Sequence, residues 1–260
     1  MKMRVGFLGC GNIASIVMDF IQKERLNFKV TRIFDIDLKK ATEFKKRFDR
    51  SIIIAEDIDS LLEDTEIIIE AASQDAVKRY GMRILGAGKN LIVMSVGALS
   101  DEIFLKRMKE MARERGVRIY IPSGAIIGVD GLKAAGLGSI DEIIITTIKP
   151  PKSLGVVVNE RCVVYEGYVK EGIKRFPQNV NVAATLGLAT ENLDKTKLRI
   201  IADPDIDRNI HEIHISGNFG EFNIKSVNLP SPNNPKTSYI AALSAVALLK
   251  RISDVVEIGT

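Results

Sequence analysis

The chain has 260 residues, 46% of them hydrophobic, with 37 basic and 33 acidic side chains, a net charge of +4 and two cysteines. This length allows one large domain or two modest ones around a substantial core. Two distant cysteines exclude a disulfide scaffold, and the mild, interspersed charge gives no nucleic-acid patch. No apolar run approaches the ~20 residues of a membrane span, and no long apolar segment opens the chain. A cytoplasmic protein without membrane or nucleic-acid partners is expected.

Arg4 to Leu8 is a short apolar strand. Gly9-Cys10-Gly11-Asn12-Ile13-Ala14 follows as G-x-G-x-x-A, and Ser15 to Arg25 has helical character. A second apolar run, Val30 to Phe34, ends on Asp35. Strand, glycine turn, helix, strand and acid is the order that binds a dinucleotide. Gly9 permits the tight turn, and Gly11 keeps side-chain atoms away from a pyrophosphate. Ala14 allows close packing of helix on strand. Asn12 and Ile13 open a helix whose N-terminus offers N–H groups and a positive dipole end to phosphate. Asp35 is placed to accept hydrogen bonds from a ribose diol.

Further apolar strands follow at Ile52–Ile54, Glu66–Glu70, Asn90–Met94 and Val117–Ile121, separated by helical segments. Ser100 is expected to cap the helix that runs through Met111, and Arg115-Gly116 to end it. Small-residue clusters end three strands: Ala71-Ala72-Ser73, Val96-Gly97-Ala98 and Ser123-Gly124-Ala125. Continuous apolar strands alternating with helices predict a Rossmann-type, doubly wound parallel sheet. Its ligand crevice lies at the C-terminal strand ends, so these clusters are expected to line it with backbone donors. Ala72, Ser73 and Ala98 are the candidate cofactor contacts, and the nicotinamide is expected near Ala72 and Ala98.

The pattern changes near residue 124. A Gly/Ala-rich helix spans 128–137, a long strand spans 140–149, and helices are expected at 168–175 and from 177 to 188. Strands follow at 198–201, 209–216 and 219–227, with Gly217-Asn218 as the turn between the last two. This predicts a second α+β domain with a mostly antiparallel sheet, serving substrate binding and subunit contact. Residues 228–234 form a Pro/Ser/Asn loop, and the final helix from Tyr239 is expected to return to the first domain. The expected division is 1–123 plus 236–260 against 124–235, and the expected assembly is a homodimer.

A nicotinamide enzyme needs a proton acceptor near neutral pH, and the two histidines, His211 and His214, are the natural candidates. On a strand they face opposite sides, so one pocket cannot take both. Asn179 is a helix N-cap candidate. Asn181 lies inside the first turn, where Asn is a poor helix former, which leaves room for a ligand contact. No metal-ligand spacing is present.

Phe176 to Thr185, Ala202-Asp203-Pro204, Arg208-Asn209-Ile210-His211-Glu212, Asn234 to Ser238 and Pro122 to Gly128 together resemble the L-aspartate dehydrogenase family. The resemblance covers nearly the whole chain. It implies oxidation of L-aspartate to iminoaspartate with NAD or NADP. Iminoaspartate hydrolyses to oxaloacetate and ammonia or feeds de novo NAD biosynthesis. It also implies that His211 is the catalytic residue and that Ala125 and Asn181 contact the dinucleotide. Lys236, Thr237 and Lys133 are candidates for the substrate carboxylates. Asp35 favours NAD, with Lys39 and Lys40 near enough to let NADP be accepted. The competing readings are a homoserine dehydrogenase- or dihydrodipicolinate reductase-like enzyme, and a non-catalytic NAD(H)-binding redox sensor.

Overall fold

The computed structural model describes residues 2–176 and 180–259. The chain divides into two compact units, one of residues 1–122 with 242–256 and one of residues 123–241 with 257–260.

The first unit alternates strand and helix: β1 (Met3–Leu8), α1 (Asn12–Lys23), β2 (Phe28–Phe34), α2 (Leu38–Phe48), β3 (Ile53–Ile54), α3 (Ile58–Leu62), β4 (Ile67–Glu70), α4 (Gln74–Gly86), β5 (Asn90–Val93), a 3-10 turn (Val96–Ser100), α5 (Glu102–Arg115) and β6 (Ile119–Tyr120). Its six strands are parallel in the order β3-β2-β1-β4-β5-β6. The order reverses between β1 and β4, which makes their C-terminal ends the switch point of a doubly wound sheet. Ile67, Ile68 and Ile69 are all buried, so both faces of β4 are covered. That is why its sequence shows no alternation. Ala245, Val246 and Leu249 of the last helix belong to this unit's core, with Val5, Phe7 and Ile33. Asp101, rather than Ser100, caps α5 by accepting from the Phe104 N–H at 3.0 Å. Ser100 instead donates to the Gly97 carbonyl.

The second unit holds α6 (Val129–Ala135), β7 (Ile140–Lys149), α7 (Pro151–Leu154), β8 (Cys162–Tyr168), α8 (Val169–Arg175), α9 (Asn181–Ala189), β9 (Lys197–Ala202), β10 (Asn209–Gly217), β11 (Gly220–Asn228), β12 (Pro230–Ser231) and β13 (Asn234–Ser238). The final helix α10 (Tyr239–Ser253) follows. The main sheet runs β11-β10-β7-β9-β8. Only the β7–β9 pairing is parallel among the described strands of this sheet. The β10–β11 turn is centred on Asn218-Phe219, one residue later than Gly217-Asn218, because Gly217 still pairs with Gly220. Gly220 takes the positive φ of 114° that closes the turn. The expected start of α9 at Pro177 and Asn179 lies outside the described residues. Part of the expected 228–234 loop is instead a short hairpin of β12 on β13.

Candidate active site

In the first unit, the turn after β1 is built around two glycines with different requirements. Gly9 has φ +96°, and a Cβ there would lie 2.8 Å from the Ala71 carbonyl oxygen and from the Ala72 Cβ. The turn itself demands glycine at this position. At Gly11 a Cβ would meet no protein atom within 4 Å. The fold places no demand on that position, and the open space suits a pyrophosphate. No side chain caps the N-terminus of α1, which Gly11 opens. Asp35, half-buried after β2, accepts from the Cys10 N–H at 2.8 Å and the Asp37 N–H at 2.9 Å. Its carboxylate is thus fixed beside the glycine turn. These residues fit a dinucleotide: an open turn and an uncapped helix end for phosphates, and an oriented acceptor for a ribose. Cys10 is no reactive thiol, since burial, and then the Asp35 charge, pushes it up to about 12.

Three backbone donors of the small-residue clusters are already engaged: the Ala71 N–H by the Leu8 carbonyl, the Ala98 N–H by the Ser95 carbonyl and the Ala72 N–H by Glu70. Glu70 is fully buried at the end of β4. Its Oε1 accepts from the Ala72 N–H (2.9 Å) and the Ser95 hydroxyl (2.8 Å). Its Oε2 accepts from the Ser95 N–H (2.9 Å) and the Met94 N–H (3.1 Å). One carboxylate therefore ties the loops after β4 and β5 together. Burial pushes its pKa up, against the pull of these bonds. Ser73 caps α4 by accepting from the Ala76 N–H at 3.1 Å. Ala72 and Ser73 remain exposed, whereas Ala98 is fully buried. Its N–H donates to the Ser95 carbonyl at 3.1 Å.

In the second unit, strand alternation sends the two histidines to opposite faces. His214 is partly exposed, with Nδ1 2.9 Å from the Asn223 side-chain oxygen. His211 is 2% exposed, with Nδ1 3.0 Å from the Thr147 hydroxyl. Thr147 lies directly across from it on β7, and Ser226 across from it on β11. The Ser226 hydroxyl and the Asn228 amide both donate to the Ala125 carbonyl, at 3.2 and 2.9 Å. Ala125, buried after the positive-φ Gly124, is thereby fastened to the strand beside His211. Burial, and then the charge of Lys149, pushes His211 down to about 3. The imidazole is held neutral. In the tautomer whose Nδ1 carries the proton and donates to the Thr147 hydroxyl, Nε2 is the proton-accepting atom.

The three candidate carboxylate ligands are exposed or half-buried. Lys133 on α6 and Lys236 on β13 are exposed, where water already solvates the ammonium. Thr237 is half-buried and accepts from the Asn234 amide at 3.3 Å. The buried cation is Lys149, the last residue of β7, which donates to the Lys236 carbonyl at 3.2 Å. Burial pushes it down to about 8. It follows Thr147 by two residues, and that inward spacing was the available signal. Asn181 is the first residue of α9, where its carbonyl accepts from the Thr185 hydroxyl at 2.9 Å.

The whole chain matches curated sequences. It is 42% identical over 258 residues to the L-aspartate dehydrogenase of Methanothermobacter thermautotrophicus, covering 99% of both chains. It is 43% identical over 258 residues to that of Methanospirillum hungatei, covering 99% of this chain and 100% of the relative. It belongs to the L-aspartate dehydrogenase family. The family model "Aspartate dehydrogenase, C-terminal" matches residues 130–252, and "Homoserine dehydrogenase, NAD binding domain" matches 9–122. The crystal structure of the Thermotoga maritima aspartate dehydrogenase superposes with a TM-score of 0.80 at 30% identity over 100% of both chains. His211, Thr147 and Lys149 thus lie in the segment matched by the family's C-terminal model, and the glycine turn in the segment matched by an NAD-binding model.

Proposed function

We propose that this protein oxidises L-aspartate to iminoaspartate, releasing a proton and passing the C2 hydride to a nicotinamide dinucleotide. Iminoaspartate then hydrolyses to oxaloacetate and ammonia. The bound dinucleotide supplies hydride acceptance; Gly11, the N-terminus of α1 and Asp35 would hold it. His211 is the catalytic residue. An ammonium cannot release hydride from its carbon until a proton has left, and a neutral imidazole with Nε2 unprotonated accepts that proton. Positioned acid–base help of this kind contributes roughly 10²–10⁴-fold. The observation that carries the reading is the buried His211, 3.0 Å from the Thr147 hydroxyl, in a chain that matches L-aspartate dehydrogenases from end to end.

NAD is the preferred acceptor. The Asp35 carboxylate favours a ribose diol and repels a 2′-phosphate. Lys39 and Lys40, close behind it, let NADP be tolerated. Ala125 and Asn181 are proposed as further dinucleotide contacts, and the assembly as a cytoplasmic homodimer. NADH formation is to be measured with aspartate, glutamate, alanine and homoserine, with NAD and NADP in parallel. Aspartate should be the efficient substrate and NAD the better acceptor. Homoserine turnover without aspartate turnover would overturn the substrate, and a strong NADP preference the role of Asp35.

A further inference from the structure

We infer that Lys149 binds a carboxylate of the substrate, beside the imidazole that handles its amine, with Asn209 as the neighbouring donor. The identity of the anion rests on the aspartate reading; the anion site itself does not.

Lys149 is 5% exposed, and no other lysine or arginine among the described residues is buried. Its position is set by the sheet. Ile210 pairs with Ile148 and His211 with Thr147 across the β7–β10 ladder. By the same register, Lys149 falls opposite Asn209, one inward step from the Thr147–His211 pair. Lys149 and His211 are close enough for the ammonium charge to bear on the imidazole. The Lys236 carbonyl anchors the ammonium from β13. This gives the Asn-Pro-Lys-Thr-Ser segment a positioning role through its backbone, while the Lys236 side chain faces solvent.

Asn209 is the second observation. Its side chain has no exposed surface, and neither its amide nitrogen nor its oxygen has a hydrogen-bond partner in the protein. Buried amides are ordinarily satisfied, so an orphaned one beside a buried cation marks a place where a ligand supplies the missing atoms. A carboxylate is the group that answers both residues. It takes the ammonium charge and accepts from the Asn209 Nδ2. Inward positions two apart on a strand are separated by about 6.6 Å. A four-carbon diacid with a C2 amine can span that step with a hydrogen bond at each end.

The test uses the full chain with NAD. Lys149→Met should raise the KM for aspartate by roughly 30-fold and leave the Kd for NADH within about twofold, because a charge-assisted bond to the substrate is lost. It should also abolish succinate binding by calorimetry without lowering Tm, since methionine keeps the apolar stem. Lys149→Arg should recover part of the succinate affinity. A purely structural lysine gives the opposite pattern, a lowered Tm with unchanged KM and succinate affinity, and that result overturns the inference. Should Lys149→Met not fold, Asn209→Asp decides. It offers the ammonium an internal carboxylate, so KM should rise and succinate binding fall; unchanged values overturn the inference. Should the wild type not oxidise aspartate, the functional reading fails alone. Succinate titration still decides the site: binding lost in Lys149→Met supports it, while equal affinity or no wild-type binding refutes it.

Discussion

Replacing Glu70 by glutamine exchanges one carboxylate oxygen for an NH2 group in a pocket where four donors converge. The amide has two orientations. With NH2 toward the Ser95 and Met94 N–H groups, donors face donors in the core. With NH2 toward Ala72 and Ser95 Oγ, the hydroxyl can turn to accept, and the N–H of the exposed residue Ala72 loses its partner. The second orientation should win. One lost bond and the weakening of the other charge-assisted bonds should cost about 2 kcal/mol. Glu70→Leu is harsher. The Met94 N–H keeps its bond to the Glu70 backbone carbonyl at 3.2 Å, but the buried Ser95 N–H and hydroxyl lose theirs. That variant should lose about 3–5 kcal/mol. Urea unfolding measures both, with unchanged m-values expected. NADH affinity should weaken as well, because Glu70 fixes the loop at Ala72-Ser73. A Glu70→Leu protein as stable as the wild type would refute the reasoning.

Thr147→Val removes the hydroxyl partner of His211 Nδ1. It should lower kcat by roughly 5–30-fold with NADH affinity intact, while Thr147→Ser stays near wild type; unchanged kcat in the valine variant contradicts the orienting role. The two glycines should separate fold from binding. Gly9→Ala should destabilise through its positive φ and its clash with Ala71 and Ala72. Gly11→Val should unfold near the wild-type midpoint yet bind NADH at least about tenfold more weakly; equal affinity would show that the open space is not the pyrophosphate seat. Stability should also rise with pH in two windows. His211 is down from 6.5 to about 3 and Lys149 down from 10.5 to about 8. The unfolded chain therefore binds more protons between pH 3 and 6.5 and again between 8 and 10.5. Acidification through the lower window should cost roughly 3–5 kcal/mol from His211 in the limit. Urea titrations of wild type and His211→Asn between pH 4 and 7 should differ in slope; parallel curves contradict a buried neutral imidazole.

The parallel sheet was legible because buried strands such as Ile67–Glu70 are continuous apolar runs between helices, and the glycine turn has its strand, helix and acid in order. The Ile140–Lys149 strand has the same bounds in the sequence pattern and in the structure. Other features left weaker traces. β8 is an edge strand with Tyr165 as its only buried residue, so Cys162–Tyr168 shows no hydrophobic alternation. Glu70 ends an isoleucine run, and its four donors come from two loops that only the fold brings together. Lys149 is inward-facing by strand parity, but parity alone does not separate a buried lysine from one that reaches solvent. Lys236, Thr237 and Lys133 are candidates in the sequence because two substrate carboxylates need charged or helix-terminal donors. The Lys236 carbonyl, not its ammonium, faces the buried cluster. Alternation puts His211 and His214 on opposite faces, the family resemblance of the Arg208–Glu212 segment selects His211, and its Thr147 partner requires the β7–β10 register.

In the proposed mechanism one buried imidazole, that of His211, carries the proton in aspartate oxidation. The direct test is kcat for aspartate-dependent NADH formation in wild type and His211→Ala, with the Kd for NADH measured on the same samples. Turnover should fall at least about tenfold while NADH binding stays near wild type. Wild-type turnover in the alanine variant would contradict the account.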